Sequence, residues 1–248
     1  MGPGLDADDF EGNGGVVDEA FAAFTDRLDA FERIRMKLVT SLRPAIILRG
    51  CHAETPYELC PNGFKAMWKG EVLGWLGKAD GEEQALPRAP LLMDLGCGIG
   101  GVCLMAALLV GAEAHGIEYN EELHSAALSW HRRVGEHDPP LRAAMAEQQS
   151  RIILGDLRCP SAAVNSLMED MDVIFCNNYE FGANLNDRLY HWMCALNLKK
   201  DVCIVTSCAL TAATRPGMGL RYVKKFELPP KSVSWAEVPV TFYLTTKG

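Results

Sequence analysis

The sequence lacks three things. No apolar run approaches the roughly 20 residues that a membrane-spanning helix needs, so no transmembrane segment is expected. None of the nine cysteines stands two residues from another. That argues against a zinc site and a disulfide framework, and for a reducing compartment, cytosol or nucleus. No stretch is strongly basic and the net charge is −8, so tight nonspecific grip on nucleic acid is not expected of this chain alone. The acidic, glycine-rich start is not that of a signal peptide. What is present, 48% apolar and 23% charged residues over 248 positions, suits a soluble domain with room for one large core.

Residues 1–15, rich in Gly and Asp, read as disordered. Residues 16–89 read as a helical extension ending in a loop and an acidic linker. Val17, Phe21, Phe24, Leu28, Phe31, Ile34 and Leu38 recur at helical spacing, and a second helix is expected over about Phe64–Leu76. From residue 90 to 248 the rhythm changes. Candidate strands at Leu91–Asp94, Glu113–Glu118, Arg151–Leu154, Asp172–Cys176 and Val202–Ser207 alternate with helices near 100–111, 121–134, 161–169 and 184–197. That alternation predicts an α/β fold, a parallel sheet covered on both faces. Arg221–Leu228 and Val238–Thr246 follow with no helix between them, which predicts an antiparallel pair closing one edge.

The first strand runs into Asp94-Leu-Gly-Cys-Gly-Ile-Gly-Gly101. Gly96, Gly98 and Gly100 let a backbone turn sharply and approach a ligand that a Cβ would obstruct. Glycines at 96, 98 and 101 also fit a dinucleotide site, so the loop alone leaves nicotinamide binding open. Asp94 tilts the choice, because a carboxylate there repels a pyrophosphate and pairs with a cationic ligand. Glu118 ends the second strand, where an acid holds ribose hydroxyls, and Asp156 follows the third, within reach of an adenine. This order resembles class I S-adenosylmethionine-dependent methyltransferases, which implies a Rossmann-like, mostly parallel seven-stranded sheet.

The fourth strand ends in Cys176-Asn-Asn-Tyr-Glu-Phe-Gly182. Amino-group methyltransferases of nucleic acids carry Asn-Pro-Pro and an aromatic there, and this text has no prolines. It resembles instead the Val-Asn-Asn-Phe-x-Phe-Gly signature of the non-SET histone lysine methyltransferases of the disruptor-of-telomeric-silencing family. Asp94-Leu-Gly-Cys-Gly-Ile-Gly100, Gly116-Ile-Glu118, Ser232-Val-Ser-Trp235 and Pro239-Val-Thr-Phe-Tyr-Leu244 parallel further motifs of that family in the same order. The likeness spans about residues 55–246, and the compact length resembles the minimal catalytic cores found in unicellular parasites such as trypanosomes. It departs in three places. Tyr57-Glu58-Leu59 is one glycine short of the family's Tyr-Gly-Glu-Leu, Leu157 replaces an aromatic, and Phe242 replaces a tyrosine.

The resemblance implies methyl transfer from S-adenosylmethionine to a lysine amine in the core of histone H3 in nucleosomes, in the nucleus. Cofactor contacts would come from Tyr57, Glu58, Asp94, Gly96, Gly98, Gly100, Glu118, Asp156, Leu157 and Asn177. An apolar channel would come from Phe181, Trp235, Phe242 and Tyr243, with Tyr179 a weaker candidate. Asn177 would orient the reacting groups, with no metal and no obligatory base. His124, His131 and His191 read as surface or packing residues, and Cys176 and Cys203 as core fillers. The acidic balance implies at most weak or indirect contact with DNA.

Overall fold

A computed structural model describes residues 59–77, 88–137, 151–210 and 219–248. The expected first helix and the disordered start lie outside these residues. Among the described residues seven strands form one sheet: β1 Leu91–Leu95, β2 Glu113–Glu118, β3 Arg151–Leu154, β4 Val173–Cys176, β5 Cys203–Thr206, β6 Leu220–Leu228 and β7 Val240–Lys247. Their order is β3-β2-β1-β4-β5-β7-β6. The first five run parallel, and β7 runs antiparallel to both β5 and β6. The expected antiparallel pair is there, with β7 placed inside it.

Parallel strands buried on both faces need unbroken apolar sequence. Every residue of β4 and β5 is buried. Leu92, Phe175, Val205 and Leu244 pack beneath α3 (Gly101–Val110) and a helical segment. That segment is α1 (Pro61–Met67), a π turn (Trp68–Val72) and α2 (Leu73–Leu76). Lys224 of β6 pairs with Glu71 of the π turn, and Trp75 Nε1 donates to Asp201 O at 2.9 Å. On the opposite face Met93, Leu95, Ile117, Ile174 and Ile204 pack against α5 (Ala162–Glu169) and α6 (Gly182–Ala195). Trp130 and Val134 of α4 (Glu121–His137) join Ile99 and Leu104 in a third cluster.

Local signals set the helix ends. The Ser161 hydroxyl accepts from Val164 N at 3.3 Å to cap α5, and the Asn120 amide oxygen accepts from Glu122 N at 2.9 Å to cap α4. No helix among the described residues is long and apolar enough to cross a membrane.

Candidate active site

In an open α/β sheet, ligands lie at the carboxyl ends of the strands, where the strand order reverses. Here that point falls between β1 and β4. Register aligns Asp94 with Gly116 and Phe175. The next row holds Leu95, Ile117, Cys176, Thr206 and Tyr243. Asp94, the glycine turn and Asn177 therefore flank one crevice, with Tyr243 in the row that ends beside it.

Gly96, Gly98 and Gly100 have φ of 78°, 56° and 78°, the left-handed region that costs other residues about 1–2 kcal/mol. Each has a different neighbour. A Cβ on Gly96 would lie 2.6 Å from Phe181 Cζ, and one on Gly100 would lie 2.7 Å from His131 Nε2. A Cβ on Gly98 would meet nothing within 4 Å. The turn is thus pinned at both ends and open in the middle, a cradle that fits a ligand. Phe181 belongs to this cradle, since its ring lies on Gly96 and carries the end of β4 to the end of β1.

Glu118, 8% exposed, accepts from Gly98 N and from Asn120 N, each at 2.8 Å. Burial pushes its carboxyl above the ordinary range, against the pull of those amides. It orients the turn and keeps acceptor capacity for a ribose hydroxyl. Asp94 is 3% exposed. Cys97 and Cys103 pack side by side against Gly116, where a Cβ would lie 2.6 Å from Cys97 Sγ. The Cys103 hydrogen bond and burial push the Cys97 thiol well up, so it fills space and is no nucleophile. Burial also pushes the thiol of Cys176 well up and that of Cys203 up to about 12.

Asp156, which follows β3, is paired with a cation. The Arg158 guanidinium engages both its oxygens, with Nε at 2.9 Å from each, and holds the carboxyl below the usual range. Arg158 in turn lies 4.8 Å from the Tyr119 ring centroid. Tyr119 and Arg158 were missed by sequence reasoning, although each stands within two residues of a predicted acid. Leu157 is buried in the second core with Ile117 and Ile153 packed around it. Tyr57 and Glu58 lie outside the described residues.

The two adjacent asparagines differ. Asn177, half-buried, directly follows β4 at its crevice end. Asn178 is fully buried and ties two other segments, α6 and the stretch that follows β5. Its Nδ2 donates to Asn186 Oδ1 at 2.7 Å and Cys208 O at 3.1 Å, and its Oδ1 accepts from Cys208 N at 2.8 Å.

Tyr179 stacks on Trp235 with centroids 6.0 Å apart, which brings the β4 end and the β6–β7 loop together. Phe242 does not join them. Its ring is wholly buried between Phe175 and Phe226, at 6.2 and 6.1 Å. Side chains alternate along a strand, so Phe242 faces the first core while Tyr243 faces the other way. The expectation that Phe242 lines a channel is corrected accordingly. Phe242→Tyr should lose about 1–3 kcal/mol by burying a hydroxyl and leave the number of methyl groups added unchanged. Thermal melting and mass spectrometry of products check both.

Among the histidines, His124 bonds Ile152 O at 3.1 Å and His131 bonds Gly100 O at 3.2 Å. His131 therefore buttresses the glycine turn as a neutral donor. Burial lowers its pKa from 6.5 to about 4. The unfolded chain takes up that proton as pH falls through 6.5 and the folded chain only near 4. Stability should fall across that window, by on the order of 3 kcal/mol at its foot, and His115, also lowered by burial, adds in the same direction. Urea denaturation at stepped pH should show the slope, reduced in His131→Asn. Among the described residues no cluster of His, Cys, Asp and Glu can hold a metal ion.

A family model described as histone methylation protein DOT1 matches residues 81–247. The chain belongs to that family. Its DOT1 relatives include the H3 lysine-79 specific histone-lysine N-methyltransferases of Aspergillus fumigatus, 26% identical over 91% of this chain and 45% of that protein, and of Emericella nidulans, 25% identical over 89% and 45%. The chain thus spans about half the length of these DOT1 relatives. A solved structure of magnesium protoporphyrin IX methyltransferase from Synechocystis aligns at TM-score 0.49 with 14% identity, over 75% of this chain and 80% of that one. The DOT1 domain here has the class I methyltransferase architecture, a Rossmann-like, mostly parallel seven-stranded sheet.

Proposed function

We propose that this chain transfers a methyl group from S-adenosylmethionine to a lysine amine in the globular core of histone H3, on nucleosomes in the nucleus. The observation that carries this reading is the open cradle at Gly98, with the buried acid Asp94 on one side and Asn177 across the strand-order reversal. Membership of the DOT1 family supports it.

The donor supplies an electrophilic methyl on a positively charged sulfur. The protein's part is alignment and an unprotonated amine. Asp94 provides negative charge beside the glycine turn, and Glu118 provides acceptors for ribose hydroxyls. A lysine of pKa about 10.4 costs about 4.6 kcal/mol to deprotonate at pH 7, and an apolar approach lowers that cost. Trp235 and Tyr179, stacked at the mouth, and Tyr243 in the row ending there supply such an approach. The Asn177 amide orients the donor's amino-acid end or the incoming amine. No general base is assigned.

Labelled S-adenosylmethionine offered with nucleosomes, free histones and small amines tests the proposal. Label on nucleosomal H3, lost in Asn177→Ala with an unchanged melting temperature, is the expected result. Label confined to another protein or to a small amine would replace the histone reading. Full transfer by Asn177→Ala would remove that residue from the mechanism.

A further inference from the structure

The loop between β6 and β7 and the start of the helical segment are joined backbone to backbone. Leu59 forms an antiparallel bridge with Val233, and Val233 pairs again with Ala236, so the loop folds back on itself. Cys60 N donates to Ser232 O at 2.8 Å. Gly63 of α1 is buried against the same residue. A methyl there would run into the Ser232 carbonyl oxygen and lie 2.8 Å from Ser232 Cβ and 2.9 Å from Leu59 Cδ1. Gly70 and Gly74, in the same helical run, would each admit a Cβ with nothing within 4 Å. Lys231, just before the junction, is exposed at φ 61°, whereas Ser232 and Val233 are 1% and 4% exposed. Trp235 sits inside the fold-back, between the paired residues Val233 and Ala236.

We infer that Gly63 is a positioning residue for Trp235. Its missing side chain lets α1 seat directly on Ser232, and that seat sets where Trp235 stands against Tyr179 at the end of β4. The bridge of Leu59 to Val233 and the Cys60–Ser232 hydrogen bond tie the loop to the start of α1 at the point where Gly63 seats, so a side chain at 63 displaces that part of the turn. Its consequence for turnover rests on the proposed reading of Trp235 and Tyr179 as the amine's approach, where a misplacement of about 1 Å can cost roughly 100-fold.

Gly63→Ala in the full chain tests this, with Gly70→Ala and Gly74→Ala as matched controls. Native-state trypsin cleavage after Lys231 reads the junction. Fluorescence of each variant minus that of its Trp235→Phe partner reads the indole. Kinetics read the KM for nucleosomal H3 separately from cofactor affinity. Gly63→Ala should speed cleavage after Lys231 about tenfold by easing local opening, shift the Trp235 emission and raise KM about tenfold or more, with cofactor affinity held. The controls should match the parent. If Gly63→Ala does not fold, Val233→Ala, which trims the same junction without adding bulk, should move the same readouts in the same direction.

Protection and emission equal to the controls would overturn the inference, as would a loosened loop with unchanged KM. A parent that transfers no methyl to H3 would instead defeat the functional reading, leaving the trypsin and fluorescence arms to decide the positioning claim.

Discussion

Gly96→Ala is expected to abolish measurable cofactor binding and to lower stability by about 2–5 kcal/mol. About 1–2 kcal/mol comes from forcing alanine to a φ of 78°. A further 1–3 kcal/mol, about what overpacking costs, comes from a methyl 2.6 Å from Phe181 Cζ. The two parts separate in a double-mutant cycle. Phe181→Ala in the Gly96→Ala background should recover the packing part and none of the backbone part. Urea denaturation and calorimetric titration with S-adenosylmethionine measure the outcome, and a double variant no more stable than the single would sink the steric account.

The second large effect is expected at Asn178. Asn178→Ala removes a fully buried amide and strands Asn186 Oδ1 and both backbone groups of Cys208. Orphaned buried groups cost about 1–3 kcal/mol each and the two Cys208 groups are only part-buried, so a loss at the low end of the sum, about 3–5 kcal/mol, is expected, seen as a lowered urea midpoint. Its neighbour gives the opposite pattern, since Asn177→Ala should keep the fold and lose turnover. A stable Asn178→Ala enzyme would show that the network contributes less than its hydrogen bonds suggest.

These neighbours mark the limit of what a sequence shows. Two asparagines in succession carry the same chemistry, and only the strand's alternation together with the partners across the gap separates the structural tie, Asn178, from the residue proposed to face the reacting groups, Asn177. The parallel strands were legible within a residue or two, because burial on both faces demands continuous apolar runs such as Val173–Cys176. Asp94, Glu118 and the glycines were legible because a turn at φ near 78° and an acid ending a strand need particular residue types. Phe242 was readable and misassigned. Period-two alternation puts it opposite Tyr243, but a motif match hides which face a residue takes.

Other features depend on contacts far apart in sequence. The stacking of Arg158 on Tyr119, the His131–Gly100 bond and the seat of Gly63 on Ser232 each join segments whose meeting no local pattern encodes. The place of β7 was likewise not predictable from composition. An antiparallel pair at the end of a chain can add to a sheet in either order, and packing of Phe242 on Phe175 decides it.

That order has a consequence for biosynthesis. Of the described strands β7 leaves the ribosome last, yet it lies inside the sheet, between β5 and β6. Until residues 240–247 emerge, β5 presents an unpaired, mostly apolar edge, and at roughly 5–20 residues per second the delay after Thr206 lasts a few seconds. Such an edge is a template for wrong pairing, so the nascent chain would be a natural client for a chaperone during that interval.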